Sequence, residues 1–404
     1  MRQGSLTDVR VLELANFVAG PLAGRALADL GATVTKVERP GRGDDGRHFP
    51  PHFGDTGVFY VQCNRNKQSI AVDLADADGR AIVANIAAQC DIFLTNFRAG
   101  ALRRLGLDYD TLHARSPRMV YCSVSGFGAF GDEADRASYD ASIQALCGLM
   151  RSSGSQEEQP LGIGPSVIDN AAAAWATVGV LAALHERERT GVGRHVDTSL
   201  VGTALDIMST DIMRYRATGV RQQRQRAGSL YRASDNGWIQ LAIGNDRVFD
   251  RICQVIGKPD LASDERFATA AARALHGAAL EPIFTAAFAQ RPAKEWESLL
   301  VGNEVPAAAA RYIDEVLDEP AIVASHLESY VDPRGTEVPQ VRTPIDFAEG
   351  ETQLRIPPPA LGADTRQVLQ EFLGLDDARI DKLVSSGTVV CPAESGGSEL
   401  DHAG

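Results

Sequence analysis

The chain has 404 residues, 44% hydrophobic and 23% charged, with 40 Lys and Arg against 53 Asp and Glu. These fractions belong to an ordinary globular protein and exclude a disordered, collagenous or coiled-coil chain; the length suggests two or three domains with a large core. A formal net charge of −13 argues against nucleic-acid binding, for which domains are usually basic, yet leaves room for a local basic pocket around a phosphorylated small molecule.

The first residues, MRQGSLTDVRVLELANF, lack the charged-then-apolar layout and small-residue cleavage site of a secretory leader. Short β-rich runs then alternate with helical patterns. Strands are expected at 9–14, 32–38, 69–74, 91–96 and 119–124, and helices at 21–31, 79–89 and 100–105. Such alternation implies βαβ units and a mostly parallel sheet. Two longer helices follow, at 139–150 and from 167 to about 190, then a short strand in VGRHVDTSL and a helix through about residue 216. The apolar run at 171–184 is fourteen residues long and ends in HERER, which favours a buried helix over a bilayer span.

Beyond the RQQRQR stretch, residues 229–243 read as a hairpin turning at Asn236-Gly237. Gly244-Asn245-Asp246 reads as a helix start, with Asn245 or Asp246 as cap. The domain reading is a large domain at 1–225, a small α+β domain at 226–325, a segment at 326–390 that returns to the large domain, and a disordered tail at 391–404. The returning segment holds RIPPPALG and a helix pair at 365–383. The six cysteines, Cys63, Cys90, Cys122, Cys147, Cys253 and Cys391, form no Cys-x-x-Cys pair and fit reduced thiols in the cytoplasm.

The first βα turn, Ala19-Gly20-Pro21-Leu22-Ala23-Gly24, is not G-x-G-x-x-G, which argues against a dinucleotide site there. No G-x-S-x-G elbow, phosphate-binding P-loop or zinc-type histidine spacing occurs; His48 and His52 are separated by Pro50-Pro51. Arginines instead follow the strand ends: Arg39 and Arg42 after the second strand, then Arg98, Arg103 and Arg104. Loops at the carboxyl ends of parallel strands form the usual ligand crevice, and guanidinium forks suit phosphates. In GIGPSVIDNAAAAWATVGVLAAL, Ser166-x-x-Asp169 has capping-box spacing, which puts Asp169 in the first turn of a long apolar helix. Backbone N–H donors and the helix dipole are expected to keep that carboxylate ionised. Two readings stand side by side: Asp169 as a nucleophile toward an acyl carbon, or Asp169 as a cap and nothing more.

The text as a whole resembles the class III CoA-transferase family, of the carnitine/bile-acid (CaiB/BaiF) type, from about residue 9 to 390. The marks, in order, are VLELANFVAGPLAGRALADLGATVTKVERPGRGD, NRNKQSIAVDL, LTNFRAGALRRLGL, SVSGFG, SYDASIQALCGLM, ALHERERTGVGRHVDTSL and PPALGADTRQVL. The resemblance implies an α/β fold, a Rossmann-like large domain plus a small α+β domain, and an interlocked ring-shaped homodimer with CoA near the subunit interface. It implies that Asp169 is the catalytic carboxylate, which forms an acyl anhydride and then a CoA thioester. It also implies that Arg39 and Arg104 hold CoA phosphates. Val72, Asn96, Phe97 and Tyr139 would line the adenine or pantetheine path, with Asn16, Phe17, Val18 and Ala19 forming the first loop.

CoA and acyl-CoA are substrates in this reading; no tightly bound cofactor or metal is expected, nor a nucleic-acid or membrane partner. Formyl-CoA:oxalate transferases carry Gln where Val18 stands and a Gly-rich lid where AIGND stands, so oxalate and formate specificity is disfavoured; no apolar acyl tunnel is identifiable, so a small dicarboxylic donor such as succinyl-CoA is expected. The alternatives are an α-methylacyl-CoA racemase of the same fold and a catalytically silent CoA-binding paralogue. A racemase needs two bases on opposite faces of the α-carbon, and the His that precedes the Asp in those enzymes is Tyr139 here.

Overall fold

The computed structural model describes residues 4–152, 159–221, 229–348 and 354–392. The expected tail beyond Pro392 therefore lies outside the described residues. Contacts group the chain into two compact units, one made mostly of the residues before Val220 and from Ala324 onward, the other mostly of Val220–Val323.

In the first unit, strands and helices alternate as β1 (Arg10–Leu14), α1 (Ala19–Asp29), β2 (Thr33–Glu38), β3 (Lys67–Val72), α2 (Ala77–Ala87), β4 (Ile92–Thr95), α3 (Ala99–Leu105) and β5 (Val120–Ser125). There follow α4 (Asp140–Leu146), α5 (Val167–Thr190), β6 (His195–Ser199) and, near the end of the chain, α6 (Thr365–Leu373) and β7 (Val389–Val390). The sheet runs β7-β3-β2-β1-β4-β5-β6. Each neighbouring pair is parallel except the edge pair, where Val389 opposes Val72 antiparallel.

Both faces of the sheet are covered. Alternate residues serve opposite cores. Val11, Val34, Ile92 and Val120 pack under α1 and α5, while Leu12, Val37, Ile70 and Phe93 pack under α2 and α6. The strand order places the reversal of direction between β1 and β4, where a doubly wound sheet opens its crevice.

Apart from Arg10 at the start of β1, the Lys and Glu residues within these strands are buried. Glu13, Lys36 and Lys67 are fully buried, with Lys36 Nζ 2.9 Å from Glu13 and 2.8 Å from Asp44, and Lys67 Nζ 2.7 Å from Glu13. Buried charges persist only when paired in this way. Gly24 belongs to this arrangement: a Cβ there would lie 1.8 Å from Glu13 Oε2, so α1 reaches the sheet only with glycine at that position.

The returning segment is fixed by polar contacts as well as by α6. Ser69 N–H donates to Asp364, Ala71 N–H to Thr365, and the Arg65 guanidinium spans Asp29 and the carbonyl of Val341.

One helix differs from expectation. The segment expected as one helix at 139–150 ends at Leu146, because Gly148 turns with φ +87° before a short helix at Leu149–Ser152. α5 is 24 residues long, and by length and composition alone it would reach across a bilayer. Half of its apolar window is buried: Ala172, Ala176 and Val180 face the core, whereas Trp175 and Val178 are exposed.

In the second unit, the hairpin Ser229–Arg232 and Trp238–Leu241 forms as the sequence implies, with Asn236 at φ +64° in the turn. A third strand, Ala307–Ala309, extends it. Phe249, Phe284, Phe288 and Trp296 build its core, and the Asn245 side chain caps the helix Asp246–Val255 by accepting from Val248 N–H.

Candidate active site

The loops leaving β1 and β4 meet at the strand reversal. Asn96 locks them together: its Oδ1 accepts from Asn16 N–H at 2.8 Å and its Nδ2 donates to Asn16 O at 2.7 Å. Phe17 is held at φ +71°, a left-handed conformation costly for a residue with a Cβ. Its N–H donates to Asp44 Oδ1, which is anchored from behind by Lys36, and its ring stacks on Phe59 at 5.0 Å. Lys36 also donates to Ala15 O at 2.7 Å, so the buried charge cluster sets the backbone of this loop.

Around these loops is a cavity of about 1240 Å³. Of the expected site residues, Asn16, Phe17, Val18, Ala19, Asn96, Phe97, Arg104, Tyr139 and Asp169 line it. Arg39 stands at its edge, joined to the lining residue Asp45 at 2.5 Å. Val72 does not line the cavity. Its side chain is fully buried in the core on β3, and its neighbours are α2 and α6 rather than the cavity. A strand residue inside a doubly covered sheet has no free face to offer a ligand.

Arg42 and Arg98, named with the strand-end arginines, also line the cavity, whereas sequence reasoning missed Asp45, His48, Arg136 and Asp140. Asp45 and Asp140 had a readable signal, since each stands in the first turn of its helix.

At the start of α5 the expected capping box is absent. Ser166 makes no side-chain cap. Asp140, from the first turn of α4, takes that role: its Oδ2 accepts from Ile168 N–H at 2.7 Å and from Asp169 N–H at 3.0 Å. Gln144 braces the arrangement by donating to Asp140 Oδ1 at 2.5 Å and to Ile163 O, while accepting from Ile163 N–H.

The helix-end donors expected to hold Asp169 ionised are therefore spent on Asp140. Burial, and then the neighbouring Asp140 charge, push Asp169 up to about 7 from an ordinary 3.8. Desolvation and a like charge both disfavour the anion, which reverses the expected direction. The site thus offers a nearly buried carboxylate, titrating near neutrality, in a cavity whose lining carries Arg42, Arg98, Arg104 and Arg136. A basic carboxylate in a partly dry pocket suits attack on an acyl carbon, and the guanidinium groups suit a polyanionic handle on the same molecule. Among the described residues no group of three or more His, Cys, Asp or Glu is placed to hold a metal ion.

Residues 6–365 match the family described as CoA-transferase family III. The chain is 33% identical to a succinate–glutarate CoA-transferase of Agrobacterium fabrum, over 92% of this chain and 96% of that one. It is 34% identical to a succinyl-CoA–D-citramalate CoA-transferase of Chloroflexus aurantiacus, over 92% and 95%. The crystal structure of a CaiB/BaiF family protein from Brucella suis superposes with a TM-score of 0.80 at 33% identity, covering 92% of this chain and all of that one.

Proposed function

From the premise that the chain belongs to CoA-transferase family III and is a CoA-transferase, we propose that it moves CoA from an acyl-CoA to a free carboxylic acid with Asp169 as the covalent carrier. The observation that carries this reading is the nearly buried, proton-hungry Asp169 in the arginine-lined cavity.

In the proposed cycle the Asp169 carboxylate attacks the thioester carbonyl, the C–S bond breaks, and CoA leaves as thiolate from an acyl-aspartyl anhydride. The thiolate attacks the aspartyl carbonyl, which forms an aspartyl-CoA thioester and frees the donor acid. The acceptor carboxylate attacks that thioester, giving a second anhydride and CoA thiolate again. Attack of the thiolate on the acceptor's acyl carbon completes the transfer and restores Asp169. Each step exchanges one activated acyl group for another, so no step needs an outside energy source. A carboxylate with a raised pKa is the better nucleophile toward the thioester.

Small dicarboxylates are the proposed acids. Succinate, glutarate and citramalate, named for the two relatives, all carry two carboxylates, and Arg98 and Arg136 in the cavity lining offer partners for the second one. The proposed assembly is a homodimer. It is supported by an apolar surface on the first unit made of Trp175 and Val178 on α5 with Leu205, Ile207, Ile212 and Met213 beyond β6, all exposed in the single chain.

The test is incubation with a panel of acyl-CoAs and free acids, followed by mass spectrometry. Transfer to the new acid that Asp169→Ala reduces by ~10³-fold or more is the expected result. Loss of α-deuterium from a 2-methylacyl-CoA without acyl exchange would overturn it in favour of a racemase. CoA binding with neither reaction would leave only a binding protein.

A further inference from the structure

We propose that Asp45 sets the affinity for CoA: its carboxylate occupies, in the free protein, the arginine pair that a CoA phosphate takes on binding. This rests on the reading above that Arg39 serves the phosphates of CoA.

Three cationic or polar groups converge on Asp45. Arg39 Nη2 donates to its Oδ1 at 2.5 Å, Arg42 Nε lies 3.5 Å from the same oxygen, and Asn16 Nδ2 donates to Oδ2 at 2.6 Å. Asp45 N–H in turn donates to Asn16 Oδ1 at 2.8 Å, so the acid is tied directly to the first substrate loop. Asp45, Asn16 and Arg42 all line the cavity.

The neighbouring cations are otherwise engaged. Lys36 is bound by Glu13 and Asp44, and Arg47 donates two hydrogen bonds to Glu38. Arg39 and Arg42 are thus the two guanidiniums at this edge that Asp45 holds. The ion pair itself adds little to stability: Arg39 and Asp45 are 53% and 39% exposed, and exposed pairs contribute little.

Two consequences follow from placing a fixed carboxylate there. It orients the guanidiniums before the ligand arrives, and it must give them up, or repel the incoming phosphate, when the ligand binds. The second effect dominates for a ligand carrying several negative charges. An internal anion of this kind weakens CoA binding and so favours release of the acyl-CoA product.

The test compares wild type, Asp45→Ala and Asp45→Asn with an acyl-CoA and with the matching thioester of phosphate-free pantetheine. For Asp45→Ala the KM for the acyl-CoA is expected to fall about 5- to 30-fold at low salt, with the gain shrinking as ionic strength rises. The pantetheine thioester should change by less than about two-fold. Asp45→Asn, which removes the charge and keeps the side-chain shape and an oxygen to accept from Asn16, should lower KM for the acyl-CoA as Asp45→Ala does, and circular dichroism checks that each variant is folded.

A KM for acyl-CoA that is unchanged or raised in Asp45→Ala, or an equal gain with pantetheine, overturns the proposal. Titration calorimetry with CoA itself separates the two readings. Wild type that binds CoA but transfers no acyl group refutes the transferase reading, while the ratio of dissociation constants between wild type and Asp45→Ala still decides the role of Asp45.

Discussion

With its carboxylate nearly buried beside Asp140, Asp169 titrates near pH 7 instead of near 3.8. The anion is the reactive form, so kcat/KM should fall about ten-fold per pH unit below pH 7 and level off above it. Replacing Asp140 with Asn removes the like charge that disfavours the anion, so the Asp169 pKa should drop and the acid limb of the profile move to lower pH. A pH profile of kcat/KM between 5 and 9 for both proteins checks this; an Asp140→Asn limb at the wild-type position would refute it. Asp140 also shows where local reading of the sequence stops. Ser166-x-x-Asp169 has the right spacing for a cap, but the cap arrives from residue 140, 28 positions from its first partner. No window along the chain contains that pairing.

The elements place the site through the loops at the reversal point of the sheet. Asn96 is the joint between the β1 and β4 loops, satisfying both the N–H and the carbonyl of Asn16. Asn96→Ala leaves these partly buried groups unpaired, at a cost of about 1–3 kcal/mol. The melting temperature should fall, and KM for acyl-CoA should rise more than kcat falls, because the loop loses its position and Asp169 is untouched. A melting temperature and KM both equal to wild type would sink this account.

Most of the strands and helices that carry these loops were legible, since β-rich runs alternating with helical patterns announce a parallel sheet. The break at Gly148 was less so, because apolar periodicity continues across a glycine that the fold sets at φ +87°. Val72 shows the converse case. A residue matched by position in a motif can still point into the core, because strand alternation and not motif membership sets its direction.

For the whole molecule, the exposed apolar groups on α5 and beyond β6 motivate the proposed homodimer. Sedimentation should give twice the mass of one chain, and Trp175→Glu, which puts a charge on that surface, should lower the melting temperature or release monomer. A wild-type chain that sediments as a monomer would refute the dimer.

The net charge of −13 argued against one partner class but hid the local balance. Arginines gather along the cavity, while the buried Glu13, Lys36, Asp44 and Lys67 neutralise one another beneath the loop they support. By itself the sequence determined the α/β alternation, the hairpin at Asn236-Gly237, the family and the candidacy of Asp169, because each is written in local periodicity or in ordered motifs. Only the tertiary structure decided which residues share the cavity, that Asp140 caps α5, and that Asp169 binds its proton near neutrality. Burial and charge proximity depend on distances between residues far apart in the chain, and those distances exist only once the sheet has closed on its helices.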